Sequence, residues 1–403
     1  MNGKFHLLNI GSKRTEKTMS EIKEYKKLNS FKDLVLKDKK EDNKSIIKII
    51  ENSILNNSYL ENLSKKQLEV LSNVKNDLFD NNKKENKKFK LSKHVIEEIL
   101  RLEEKKIPLY LVHRYRYEVY PEEHIIDEFP PYLQIEPSSI CNYRCVFCFE
   151  TDKTFTDKKA GFMGSMKIDL FKNIIDQAQG NIEFLSLASR GEPLICKDII
   201  KMLKYTENKF LNLKMNTNAS LLTEEKIHAI LGGGIGTIVF SADAADEKLY
   251  SKLRVNGKLD RVLKNIELFN DIKEKNYKKN KIITRVSGVK VNNEQSIESM
   301  TKLWGNLVDQ VAFVDYNPWE NVYDSKASNI EKPCSDLWRR MFIWWDGKAN
   351  PCDTDYKSTL SVGNFNNKSI KELWNSEFYK KLRENHVNNK RKNLFPCKNC
   401  HVT

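Results

Sequence analysis

At 403 residues, with 39% hydrophobic and 31% charged residues, the chain is long enough for a large core and for more than one domain. No apolar run is long enough to cross a bilayer, and MNGKFHLLNIGSKRTEK at the N-terminus lacks the apolar core and cleavage site of a signal peptide. A cytoplasmic protein without a membrane partner is therefore expected. The net charge of +14 comes mostly from lysine mixed with Asn, Ile and Glu, as in NNKKENKKFK. Those residue types share AT-rich codons and lack the Arg and Gly pattern of RNA-binding segments, so nucleic-acid binding is not expected.

Residues 1–128 are rich in Lys, Asn and Glu. SIIKIIENSILNNSYLENL (45–63), SKKQLEVLSNVKNDLF (64–79) and SKHVIEEILRLEE (92–104) carry apolar residues at helical spacing, with Ser64 and Ser92 as candidate N-caps. This reads as a helical extension with a disordered link near 80–90 and no catalytic motif. From Tyr132 the texture changes. YLQIEP, IEFLSLAS, LKMNTN, TIVFSAD, IITRVSGVKV and QVAFVDY read as strands, separated by helical stretches such as SMKIDLFKNIIDQAQ, TEEKIHAIL and DRVLKNIELFNDIK. Repeated strand–helix units predict an α/β fold, a partial (β/α)6 TIM-like barrel over 129–320. Its chemistry belongs on the loops after the C-terminal ends of the strands. Residues 321–403 form a small third, cysteine-bearing region.

The chain has eight cysteines. In a reducing compartment they favour metal ligation or catalysis over disulfides. CNYRCVFC sets Cys141, Cys145 and Cys148 at C-x3-C-x2-C just after the first strand. A structural zinc site wants four ligands. A four-iron cluster on three thiolates keeps one iron open to a small molecule.

This motif resembles that of the radical S-adenosylmethionine (radical SAM) superfamily. The resemblance implies a [4Fe–4S] cluster whose open iron chelates SAM, and reductive cleavage of SAM to a 5′-deoxyadenosyl radical. Further segments match in order over about 130–316. SRGEPL (189–194) is similar to the family's Gly-Gly-Glu-Pro loop, with Arg190 in the first glycine's place; it assigns Gly191 and Glu192 to the cofactor. NTNAS (216–220) resembles the Thr-Asn-Gly turn, with Ala219 replacing Gly, and adds Asn218. SADAADEKLYSKLR (241–254) resembles the Ser-x-Asp segment and adds Ser241, Asp243 and Arg254; Ser241 and Asp243 have a helix-cap alternative and Arg254 a solvated-face one. Phe147 is expected beside the adenine.

Cys334, Cys352, Cys397 and Cys400 form a second set. Four thiolates also suit zinc. The words DGKANPC, GNF…SIKELW and PCKNC resemble the SPASM/twitch extension of radical SAM enzymes. That implies an auxiliary [4Fe–4S] cluster, in a reduced four-cysteine form, able to carry an electron. Cys196 is a possible hydrogen donor to a substrate radical, against its reading as a small buried hydrophobe. The cysteine layout is similar to that of twitch-bearing aminocyclitol dehydrogenases. It implies a small carbohydrate- or aminocyclitol-like substrate, oxidised or epimerised, with an external electron donor such as flavodoxin or ferredoxin. A maturase or epimerase of a ribosomally made peptide is the alternative within the superfamily. A zinc-containing nucleic-acid-binding protein is the alternative of another class.

Overall fold

The computed structural model describes residues 24–27, 31–36, 43–80, 87–188, 190–319 and 322–403. The N-terminal region is not purely helical, as the sequence suggests. Strand β1 (Phe31–Leu36) precedes helices α1 (Asn43–Leu55), α2 (Lys65–Phe79), α3 (Lys93–Arg101) and α4 (Ile107–Glu122). α2 begins where expected, in a capping box. The Ser64 hydroxyl accepts from the Gln67 N–H, and the Gln67 side chain accepts from the Ser64 N–H. Ser92 makes no side-chain cap. Residues 81–86 of the expected link lie outside the described residues. α4 escapes the sequence reading because IPLYLVHRYRYEVYPE mixes apolar, aromatic and basic residues around its whole circumference; in the fold it is buried along most of its length. Val74 of α2 and Val95 and Ile99 of α3 pack with its Tyr110 and Leu111.

The six barrel strands are β2 (Tyr132–Ile135), β3 (Phe184–Leu187), β4 (Asn212–Thr217), β5 (Ile235–Ser241), β6 (Ile283–Lys290) and β7 (Gln310–Asp315). They pair in parallel and in chain order. The connecting helices are α5 (Ile168–Ala178), α6 (Ile199–Tyr205), α7 (Glu224–Gly232), α8 (Leu259–Asn276) and α9 (Ile297–Trp304). In α5, Phe171, Ile174, Ile175 and Ala178 recur at helical spacing and are buried. Burying each of the three larger side chains is worth about 1.5–3 kcal/mol. In β4, Leu213 and Met215 join the apolar core, whereas Lys214 and Asn216 line an internal cavity. That period-two alternation is what a half-polar barrel lumen requires.

The sheet does not stop at the barrel. β8 (Arg340–Ile343) pairs in parallel with β2, and β9 (Lys348–Asn350) and β10 (Gly363–Asn364) continue antiparallel beyond it. At the other edge β1 pairs antiparallel with β7. The result is one ten-stranded sheet. α10 (Ile370–Trp374) and α11 (Glu377–Val387) cover the C-terminal part, where Trp338, Trp344 and Trp374 are fully buried. Trp338, Trp344 and Trp374 thus serve as packing residues.

α4 covers the N-terminal end of the barrel. His113 stacks on Phe184, the first residue of β3, with ring centroids 3.8 Å apart. Arg116 pairs with Asp127 (2.8 Å) and Glu183 (3.1 Å). Near the C-terminus, Tyr25 forms a parallel bridge with Val402. No helix among the described residues is long and apolar enough to cross a membrane.

Candidate active site

The chain leaves β2 and folds over the C-terminal ends of the strands as the three-cysteine loop. Arg144 and Cys145 pair antiparallel with Val255 and Arg254, which pins the loop. Cys141, Cys145 and Cys148 all line one cavity of about 390 Å³, together with Phe147, Gly191, Glu192, Asn218, Ser241 and Arg254. The structure therefore gathers every residue that the sequence assigns to the first cluster and the cofactor, except Asp243. Donors point at the sulfurs: the Tyr143 N–H at Cys141 Sγ (3.4 Å) and Arg254 Nη1 at Cys145 Sγ (3.9 Å). Burial, reinforced by the Glu192 carboxylate, pushes the Cys141 thiol up to about 12, and burial pushes Cys148 well up. Such thiols become thiolates when a metal supplies the positive charge, so the donor set fits an iron–sulfur cluster. Among the described residues no three His, Cys, Asp or Glu side chains gather as a single metal ion would require. Each thiolate of a four-iron cluster sits on a different iron, which spreads the donors.

Glu192 is held by three donors: the Leu194 N–H (3.1 Å), the Thr217 hydroxyl (2.7 Å) and the Asn218 N–H (2.7 Å). A carboxylate offers about four lone-pair positions, so one acceptor position remains for an ammonium group. Gly191 is required for close backbone approach. A Cβ there would lie 2.5 Å from the Ser138 carbonyl oxygen and 2.6 Å from the Ile140 nitrogen. Ala219, standing where the family turn has glycine, adopts φ +60°, the left-handed conformation that makes glycine the usual choice.

Arg190 explains its own departure from the motif. Its guanidinium grips the fully buried Glu136, Nε to Oε2 at 2.7 Å and Nη2 to Oε1 at 2.6 Å. Nη1 donates to the Tyr356 carbonyl (2.8 Å), and the group lies 4.3 Å from the Trp344 ring centre. Arg190, which also lines the cavity, joins the barrel to the C-terminal region through these contacts.

Two expectations need correction. Asp243 does not line the cavity. Its Oδ1 accepts from the Val289 N–H (2.6 Å) and its Oδ2 pairs with Arg254 Nε (2.5 Å), so it positions Arg254 from behind. Cys196 is 2% exposed, donates to the Met166 carbonyl (3.6 Å) and belongs to the apolar core. Its thiol does not reach the cavity, as hydrogen donation to a substrate would require.

Cys334, Cys352, Cys397 and Cys400 converge on a second, apolar cavity of about 20 Å³. The Val402 N–H points at Cys400 Sγ (3.4 Å). Burial pushes the Cys334 thiol up to about 11. Two cations that sequence reading missed stand beside this set. Arg391 donates to the carbonyls of Cys400 (2.7 Å), Cys397 (3.3 Å) and Lys332 (2.9 Å). Lys27 pairs with Asp353 (2.5 Å) and Asp336 (2.6 Å). No local signal marks Lys27, whose partners lie over 300 residues away, and Arg391 reaches Lys332 across 59 residues. Their charges offset the negative charge of a thiolate cluster.

A model described as the radical SAM superfamily matches residues 135–303, and one described as an iron-sulfur cluster-binding domain, SPASM, matches residues 334–401. The chain belongs to the radical SAM superfamily and carries a SPASM-type C-terminal domain. A SAM-binding [4Fe–4S] cluster, SAM and auxiliary iron–sulfur chemistry follow, in place of the zinc alternative. The chain is 23% identical over 296 residues to a tungsten-containing aldehyde ferredoxin oxidoreductase cofactor-modifying protein of Pyrococcus furiosus, covering 62% of this chain and 82% of that one. It is 27% identical over 243 residues to a GTP 3′,8-cyclase of Clostridium botulinum, covering 58% and 69%. Similar solved structures include Streptococcus suis SuiB bound to S-adenosylmethionine (18% identity, 73% of this chain and 78% of that one, TM-score 0.49). BtrN in complex with AdoMet and 2-DOIA is another (18%, 68% and 94%, TM-score 0.46).

Proposed function

We propose that this radical SAM enzyme oxidises a small polar, carbohydrate- or aminocyclitol-like substrate held in the barrel lumen. Cys141, Cys145 and Cys148 hold the SAM-binding cluster, and Cys334, Cys352, Cys397 and Cys400 hold one auxiliary [4Fe–4S] cluster. When bound, these groups and SAM supply the radical that takes hydrogen from a substrate carbon and an acceptor for the electron left behind. Glu192 offers its remaining acceptor position to the SAM ammonium. Arg254, oriented by Asp243 at 2.5 Å, offers the rest of its fork to the SAM carboxylate. Gly191 lets the Glu192 loop lie flat against Ser138–Ile140, and Ser241, Asn218 and Phe147 complete the wall. The observation that carries the reading is the shared cavity: three thiols, Glu192 and Arg254 line one space at the C-terminal ends of the strands. A lumen with α4 packed across its far end supports a small substrate. Oxidation is favoured over epimerisation because Cys196, the candidate hydrogen donor, lies in the core. An external donor of flavodoxin or ferredoxin type would supply the electron that starts turnover.

Anaerobic reconstitution tests this directly. We expect about eight irons per chain, two four-iron clusters' worth. Cys145→Ala is expected to abolish reductive formation of 5′-deoxyadenosine. Cys334→Ala should keep SAM cleavage with about four irons. Wild-type protein that binds iron but never yields 5′-deoxyadenosine refutes the proposal.

A further inference from the structure

Away from the thiols, the cavity wall is cationic. Lys214 of β4, Arg285 of β6 and Arg340 of β8 all line it. The same three line an adjoining hollow of about 180 Å³, which α3 and α4 wall with His94, Glu98 and Arg114. Arg285 Nε donates to the Gln310 amide oxygen (2.5 Å), and the carboxylates of Glu98 and Glu97 on α3 act on its charge. Arg340 Nε donates to the Tyr117 hydroxyl (3.1 Å) and lies 3.8 Å from Asp336, which also pairs with Lys27 and Arg339. Burial, then Arg285 and Arg340, bring the Lys214 ammonium down to about 7, with Glu98 of α3 acting the other way. Glu98 in turn accepts from the Tyr110 hydroxyl (2.5 Å). Asp353 also lines the cavity but is engaged by Lys27.

The neutral groups between these cations point the same way. Ser186, Lys214 and Thr237 are in register across β3, β4 and β5. Thr237 Oγ1 is buried at 4% exposure and has no hydrogen-bond partner. Ser186 Oγ, at 2% exposure, lies near the Tyr132 hydroxyl outside hydrogen-bond geometry and is likewise unsatisfied. Buried hydroxyls without partners are uncommon, because each forgoes the hydrogen bonds it would make in water. Like charges crowded in a low-dielectric hollow add to that cost. One ligand class relieves both: an oxyanion, which accepts from hydroxyls and amides and pairs with guanidinium and ammonium groups.

We propose that Lys214, Arg285 and Arg340, with the Ser186 and Thr237 hydroxyls, form an oxyanion subsite, and that the substrate carries a phosphoryl or carboxylate group docked there. This rests on the reading of the cavity as the active site and narrows it. A substrate whose only charges are ammonium groups, as in a simple aminocyclitol, would face like charge. An anionic sugar or polyol derivative would be anchored by its charged end and would extend toward the thiol loop.

The test uses the anaerobically reconstituted full chain, titrated calorimetrically with inorganic phosphate and, separately, with malonate, in the absence and presence of saturating SAM. Saturable binding of either anion that persists with SAM is expected. It should weaken by about tenfold or more in Lys214→Met and in Arg285→Gln, and remain unchanged in Lys275→Met, an exposed control. Tighter phosphate assigns a phosphoryl group; tighter malonate assigns a carboxylate. If Lys214→Met is misfolded by circular dichroism, Lys214→Arg, which keeps the charge, must bind the anion near wild-type strength. Absence of binding, binding undiminished in the folded lumen variants, or complete displacement by SAM overturns the subsite. Anion binding in a protein that fails to cleave SAM overturns the active-site reading and leaves the subsite standing.

Discussion

Arg190 is the sharpest place to test how the two domains are joined. Replacing it by the glycine of the motif it departs from, Arg190→Gly, removes two charge-assisted hydrogen bonds to Glu136, one to the Tyr356 carbonyl and the stacking on Trp344. Glu136 has no exposed surface and would keep only two backbone donors, the residue 190 N–H (3.2 Å) and the Trp345 N–H (3.3 Å). Breaking a buried pair by deleting one partner typically costs about 3–5 kcal/mol, mostly for the charge left behind. Adding Glu136→Gln removes that charge, so the double variant should be less destabilised than the sum of the single variants, with a coupling of up to about 3 kcal/mol. Anaerobic urea titrations followed by tryptophan fluorescence report the change, with Trp344 and Trp345 adjacent to the pair. A loss below about 1 kcal/mol in Arg190→Gly, or additivity in the cycle, would refute this account of the joint.

Gly191→Ala should lower SAM affinity by about tenfold or more, measured by equilibrium binding, because its Cβ must push apart backbone now 2.5 Å from that position. Cys196→Ala should leave 5′-deoxyadenosine formation and product yield near wild type and cost about 1 kcal/mol or less of stability; a change in product stereochemistry would restore a chemical role to the thiol. His94 gives a pH signature. Burial, then Arg114, hold its imidazole down to about 4 in the folded chain, below the ordinary value of 6.5. The unfolded chain therefore takes up this proton first as pH falls. The stability in question is complete above 6.5 and is lost between 6.5 and about 4, by up to about 1.4 kcal/mol per pH unit. His94→Gln should flatten that slope in urea titrations at stepped pH, and an unchanged slope would count against it.

What could be read from the sequence was local. The barrel strands announce themselves because short apolar runs alternate with helices of opposite periodicity. The first cysteine loop and the Glu192 loop can be proposed from the sequence because their motif neighbours are neighbours in the chain. What could not be read depends on pairing at a distance. MFI in β8 looks like generic core, and nothing local says that it lies beside YLQI of β2. FKDLVL in β1 sits in a charged stretch that reads as helical, and its partner β7 lies far along the chain. Asp243 looks like a cofactor contact from its motif, but Arg254 claims the side chain. The alternation in LKMNTN says that Lys214 and Asn216 share a face; that the face is a lumen appears only when the strands close together.

The continuous ladder from β2 to β8 has a mechanical consequence. Four residue pairs, Tyr132 with Arg340 through Ile135 with Ile343, tie the start of the barrel directly to the strand that leads into the second cysteine set. A flexible tether would let the separation of the two metal sites drift whenever a surface loop opened to admit a ligand. Here drift would require unzipping main-chain bonds in the middle of a sheet. The separation of the two cysteine sets is thereby fixed by the backbone itself rather than by the surface loops.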